Sequence, residues 1–151
     1  MPVETAIRAL ITELYALISG PGDQPRDWAR QRELFMPDAQ LIRTVLDDQG
    51  RPQAERIAIG DYGANFERKL GGRAFYEVEV HSIVEQFGCI AHVFSSYEAF
   101  ADAAHSQFLK RGINSIQLYD EAGRWRITSM VWDDERPGLP MPARYRAHGP
   151  D

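Results

Sequence analysis

Arg111–Pro140, RGINSIQLYDEAGRWRITSMVWDDERPGLP, is the stretch that decides the fold. Gln107–Tyr119 and Trp125–Trp132 alternate apolar and polar residues over strand-like lengths, and Asp120-Glu121-Ala122-Gly123 between them carries turn chemistry. The segment reads as a long antiparallel hairpin. An aromatic, acidic strand end at Trp132-Asp133-Asp134 follows it, then a tail rich in Pro and Gly. A hairpin of this size, closing a chain that opens with a helix, predicts an α+β domain. Its sheet curls around its helices and leaves a cavity.

Upstream, Ala74–Phe87 and Ile90–Phe100 read as two more strands joined by Gly88-Cys89, a two-residue turn, and Ala101–Ser106 is a small polar loop. Val3, Ile7, Leu10, Ile11, Leu14, Leu17 and Ile18 recur in steps of three and four, which predicts an amphipathic helix over 3–19 that Gly20-Pro21-Gly22 stops. Asp23–Phe35 reads as a second, shorter helix. Gln40–Leu46 reads as a strand ending in the Asp47–Gly50 turn. Residues 54–70 read as a third helix, ended by Gly71-Gly72. Gly60 and Gly63 inside it cost roughly 1 kcal/mol each relative to Ala, so that helix is expected to bend or to pack closely on a neighbour. The predicted order is α-α-β-α-β-β-β-β: one domain over 1–135 and a tail over 136–151.

The chain has 151 residues, 44% hydrophobic and 26% charged, as a single globular domain should. Its net charge of −5 and scattered arginines exclude a nucleic-acid surface, which needs clustered cations. One cysteine, Cys89, permits no intramolecular disulfide. MPVETAIRAL lacks a signal-peptide pattern, and no apolar run approaches the roughly 20 residues that span a bilayer. The expectation is a soluble cytoplasmic protein with no membrane partner. No Cys pair, His-x-x-x-His or His–carboxylate cluster stands at ligand spacing, and there is no Walker loop or Gly-x-Gly-x-x-Gly. No metal and no cofactor are expected.

Four landmarks carry a family resemblance: the helical opening with Tyr15, the Phe35-Met36-Pro37-Asp38-Ala39 step, FGCIAHVFSSYEA at 87–99, and RGINSIQLYDEAGRWRITSMVWDDERP at 111–137. Over residues 3–135 the chain resembles the nuclear transport factor 2-like superfamily, which includes SnoaL-like polyketide cyclases and ketosteroid isomerase. The resemblance implies a cone: a strongly curved, mixed or antiparallel sheet wrapped on three helices, with a pocket at the open end. It also implies a homodimer through the outer sheet face. Enzymes, binding domains and interaction modules all share this fold, so it does not name a reaction. Ketosteroid-isomerase-like members use a carboxylate base and a tyrosine/acid oxyanion pair inside the cone. Here no Asp falls clearly on an apolar strand face, and Asp133 and Asp134 lie at the rim.

With Gly88-Cys89 as the turn, Phe87 pairs with Ile90 and strand parity follows. One face then carries Val78, Val80, Val84, Ala91, Val93 and Tyr97 with Ser82 and Ser95. The other carries Glu77, Glu79, His81, Ile83, Glu85, His92, Phe94, Ser96 and Glu98. His81 is expected opposite Ser96, His92 opposite Glu85 and Glu79 opposite Glu98, unless a one-residue bulge exchanges partners. Glu79, His81 and Glu98 suit proton transfer, but one face of an antiparallel sheet is commonly wet, and the set reads first as the solvated or dimer-facing side of the sheet. Arg111, Asn114 and Gln117 with Trp132 form a second set. Asn114 shares a face with Ile116 and Leu118, where an amide orients a carbonyl or hydroxyl, and Arg111 suits a carboxylate. Alternatively, Asn114 satisfies loop backbone and Arg111 is a surface residue. Of the aromatic set Tyr15, Trp28, Phe35, Tyr62, Phe66, Phe94, Tyr97 and Trp132, most are core in any reading. Tyr62 and Tyr97 are the better ligand candidates, because a buried phenol needs a partner.

The sequence therefore points to a protein that binds a small apolar or aromatic ligand. Trp28, Tyr62, Phe66, Phe94, Ser96, Arg111, Asn114, Gln117 and Trp132 are its candidate contacts. Catalysis there would be cofactor-independent isomerisation, dehydration or aldol-type cyclisation. His81 or Glu98 would be acid or base, and Tyr97, Asn114 or Tyr62 would polarise a carbonyl. The rival is a non-catalytic dimerisation or interaction module. A filled cone favours the rival. A cavity of roughly a few hundred Å³ with convergent polar groups favours the first reading.

Overall fold

A stripe of Ile7, Ile11, Leu14, Tyr15 and Ile18, at helical spacing, builds the first helix, α1 (Val3–Ile18), and buries against the sheet. The computed structural model describes residues 2–146. Arg26 secures the end of α1. Its guanidinium donates to Ile18 O (2.6 Å) and Gly20 O (3.0 Å) and lies over the Phe66 ring. Carbonyls at a helix end lack helical partners, and this side chain supplies them.

Then follow α2 (Trp28–Glu33), β1 (Phe35–Leu46), β2 (Pro52–Ala58), α3 (Ile59–Leu70), β3 (Tyr76–Phe87), β4 (Ile90–Phe100), β5 (Phe108–Glu121) and β6 (Arg124–Asp134). The strands form one mixed sheet in the order β2-β1-β6-β5-β4-β3, parallel only between β1 and β6. Three helices lie against its concave face. The architecture is the α+β cone that the sequence predicts, with one strand more.

That strand is β2, taken from the start of the predicted third helix. Asp47 accepts N–H bonds from Gln49 and Arg51, both at 2.9 Å, and Gly50 adopts φ 75°. This tight turn returns the chain alongside β1. Ile57 and Ile59 are two residues apart and both buried, the period of a strand, so the helix begins only at Ile59. The second helix is also shorter than predicted. Asp27 caps it by accepting from Arg30 N, and Leu34 hands the chain to β1, which starts at Phe35 beside β6. The register slips between Phe35 and Gln40, where Pro37 lacks an N–H for the ladder.

In the β3–β4 hairpin, Phe87–Ile90, Glu85–His92 and His81–Ser96 pair as the turn dictates. Val80 is then an extra residue. Beyond it Glu79 pairs with Tyr97, and Val78 with Glu98. The Glu79–Glu98 pair and the outward placement of Glu77 and Glu79 are thereby corrected. A one-residue slip exchanges faces, so both carboxylates turn to the concave side.

Two further features depend on close approach. An added Cβ on Gly63 would lie 2.7 Å from the Trp28 ring, which packs edge-on to Tyr62 and Phe66. The tail folds back over the convex face. Met141 is buried, its N–H donates to Glu135, and Tyr145 packs edge-on to Phe94. The rest of the tail, 147–151, lies outside the described residues. Among the described residues no helix is long and apolar enough to cross a membrane.

Gly63→Ala is expected to lower stability by about 1–3 kcal/mol, because the methyl overpacks the indole. Gly60→Ala, with open space around it, should be neutral or gain up to ~1 kcal/mol. Urea unfolding of the two variants separates these outcomes.

Candidate functional site

A cavity of about 340 Å³ lies between α1, α3 and the concave face of the sheet. Its apolar wall includes Leu14, Ile18, Ile57, Phe66, Met130 and Trp132. Its polar groups are Tyr15, Gln31, Tyr62, Glu77, Tyr97 and Asn114. Lys69, Arg73 and Lys110 stand toward solvent.

Glu77 is placed by two links. The Val80 bulge turns it inward, and its N–H donates to Ser19 Oγ (2.9 Å), whose hydroxyl in turn donates to Tyr15 O (2.8 Å). The end of α1 and the start of β3 are thus tied together. The carboxyl is buried, and no described residue donates a hydrogen bond to it. Burial pushes Glu77 up to about 7, helped by the negative charge of Asp134 and opposed by Lys110.

Two hydrogen-bonded sets share the cavity with Glu77. In one, Asn114 Nδ2 donates to Tyr15 Oη (2.9 Å), Tyr15 meets Ser95 Oγ (2.7 Å), and Ser95 donates to Glu79 (2.5 Å). Because Asn114 and Ser95 both donate, the Tyr15 proton points at Ser95. Burial raises Glu79 as well, against the pull of the Ser95 bond and of Arg8. In the other set, the Tyr97 hydroxyl donates to Asp134, whose second oxygen lies 3.5 Å from Lys110 Nζ. Gly112 makes room for that ring, since an added Cβ would fall 2.3 Å from the Tyr97 hydroxyl. Burial raises both tyrosines, and Glu77 adds to both shifts. Burial raises Tyr62 too. Gln31 is almost wholly buried at the cavity, and its Oε1 has no partner.

Of the residues singled out from the sequence, the cavity takes Tyr62, Phe66, Tyr97, Asn114 and Trp132. It does not take His81 or Glu98. Both lie on the convex face, where Glu98 meets Arg111 at 3.1 Å. Arg111 also reaches Glu135 and stacks over Phe108. Phe94 lies under Tyr145, Ser96 is buried on the same convex side, and Gln117 is exposed there. Trp28 stands behind the wall, its indole N–H donating to Glu67.

Sequence reasoning missed Glu77, Gln31, Arg73 and Lys110. A bulge has no local signature in VEVHS. Gln31 does have one: Trp28, Gln31 and Leu34 are three apart, so a helix puts the amide on its apolar side. Among the described residues no group of three His, Cys, Asp or Glu is placed to hold a metal ion.

The Glu77 shift has a defined sign. Between the ordinary 4.5 and about 7 the folded carboxyl is protonated and the unfolded one ionised. Stability is fully present below this window and is lost as pH rises through it, by on the order of 3 kcal/mol. Glu77→Gln lacks that loss. Its Tm should match wild type near about pH 4 and exceed it by several degrees near about pH 8. A pH-independent difference in calorimetry would contradict the assignment.

No family profile matches the chain, and no curated protein matches it. Solved structures do. An NTF2-like protein with a cystatin-like fold from Novosphingobium aromaticivorans superposes with a TM-score of 0.68 at 15% identity, over 94% of this chain and 85% of that one. A protein of unknown function with a cystatin-like fold from Nostoc punctiforme gives 0.67 at 14% identity, over 91% and 93%. An NTF2-like protein from Cytophaga hutchinsonii gives 0.65 at 15%, over 89% and 99%. Likeness at such identities is likeness of fold, and the chain has the cone fold of the NTF2-like proteins.

Proposed function

We propose that this protein binds a small, largely apolar carbonyl compound in its cone and moves a proton on it without a cofactor, with Glu77 as the general base. The observation that carries this reading is a buried, unpartnered carboxyl, held near neutrality, on the wall of an apolar cavity. A base works best when its pKa lies near the working pH, and burial is how a glutamate reaches it. A free carboxyl can take a proton from carbon, whereas one engaged in an ion pair cannot do so readily.

The charge that develops on the carbonyl oxygen needs a donor. Asn114 uses one amide N–H on Tyr15 and has a second. Gln31 Oε1, unmatched inside the protein, can only accept, so it suits a hydroxyl of the ligand and not the charged oxygen. Tyr97 is committed to Asp134 and so is not a free donor; it is the negative charge of Asp134 that acts on Glu77. The reaction class is abstraction of a proton next to a carbonyl, the step common to isomerisation, dehydration and aldol-type cyclisation. A cone left open by about 340 Å³ supports this over the interaction module, for which a filled interior would be expected. A homodimer through the convex face, which the resemblance implies, would form around the Tyr145–Phe94 contact.

The test is deuterium exchange at the α-carbon of a panel of cyclic and aryl ketones in heavy water, followed by proton NMR. Wild type should accelerate exchange for at least one skeleton. Glu77→Gln should lose about 10²–10⁴-fold of that rate, and His81→Ala should keep it. Exchange that persists in Glu77→Gln, or no exchange with any ketone, sinks the proposal.

A further inference from the structure

The cavity's charges are lopsided. The chain carries 22 acidic and 17 basic residues, yet the cavity is lined by Arg43, Lys69, Arg73 and Lys110 against one acid, Glu77. These cations are not matched one for one by carboxylates. Glu55 serves two of them, Lys69 at 3.2 Å and Arg43 at 3.9 Å. Asp134 serves Lys110 at 3.5 Å while also accepting the Tyr97 hydroxyl.

Arg73 has no carboxylate within 4.0 Å among the described residues. Its Nε and Nη2 donate to Leu70 O (2.8 Å) and Lys69 O (3.0 Å) at the end of α3. Capping a helix end is a sufficient reason for those two bonds. It does not account for a second and third cation, Lys69 and Lys110, around the same cavity. The capping bonds also hold a long side chain in one place, so less entropy is lost when its remaining N–H groups meet a ligand.

We infer that the ligand of this cavity is a keto acid, its carboxylate held by Arg73 and Lys110 and its carbonyl end lying in the apolar interior beside Glu77. This deepens the general-base reading above and rests on it. A single carboxylate matches a guanidinium edge and costs less to bring against apolar walls than a phosphate dianion. The pairing also assigns the two acidic functions of such a complex. The ligand's carboxylate stays ionised among cations, while Glu77, which accepts no hydrogen bond from the described residues, exchanges protons.

The probes are benzoylpropionic acid and its methyl ester, one skeleton with and without the charge. Calorimetric titration at low salt should give at least a tenfold preference for the acid, which falls as salt screens the rim. Arg73→Gln, and separately Lys110→Gln, should each reduce the acid-to-ester ratio to about threefold or less, since removing one cation removes part of the attraction. Two variants are used so that a folding defect in one does not decide the matter. An ester that binds as well as the acid, with Glu77-dependent exchange intact, overturns the keto-acid inference and leaves the general base standing. Binding of neither compound, with no exchange on either, overturns both.

Discussion

The extra residue at Val80 is the constraint on which the site depends. In a regular β3–β4 ladder the alternation set by the Gly88-Cys89 turn would run to the end of the hairpin, and Glu77 and Glu79 would face outward beside His81 and Glu98. The bulge inserts one residue into β3 and reverses parity for the strand beyond it. Two carboxylates thereby enter an apolar cone while Val78 leaves it. Tyr97, on the partner strand, keeps its inward face and becomes the cross-strand neighbour of Glu79.

The fold treats those two carboxylates differently. Glu79 ends a run of donors through Ser95, Tyr15 and Asn114 that links α1 to β4 and β5. A buried network that is satisfied throughout rigidifies the elements it joins. Glu77 receives no such partner and shares its space with Tyr15, Tyr62 and Tyr97, whose protons it helps to hold. A buried ionised group without a partner is costly, so the neutral form dominates until the pH passes about 7. Structural ion networks and catalytic sites both perturb acids in this way, and under the general-base proposal Glu77 is of the second kind.

Much of this was legible in the sequence. The 3–4 spacing of Ile7, Ile11 and Leu14 and the turn at Gly88-Cys89 give α1 and the β3–β4 register as far as His81, because local periodicity and turn chemistry determine them. Asn114 was legible as a polar group on an apolar face, and it lies in the cavity. The rest was not local. The β2 strand depends on a turn closed by Asp47, and its residues 54–58 run directly into helix-forming sequence. Arg73 and Lys110 are far apart in the chain and line one cavity only because the fold brings the segment after α3 and the start of β5 to it. Phe94 and Ser96, candidate ligand contacts from the sequence, lie instead on the convex side, where the tail returns across the sheet.

The central claim is that Glu77 is an unpartnered, buried acid whose proton is lost near neutrality. The most direct measurement is a pH titration of the side-chain carboxyl carbons by NMR in glutamate-labelled protein, with Glu77→Gln identifying the resonance. The account predicts that this signal titrates with a midpoint near about 7, well apart from the exposed glutamates. A Glu77 resonance that moves at about 4.5, the ordinary value for a glutamate, would show a solvated or paired carboxylate. It would contradict the account.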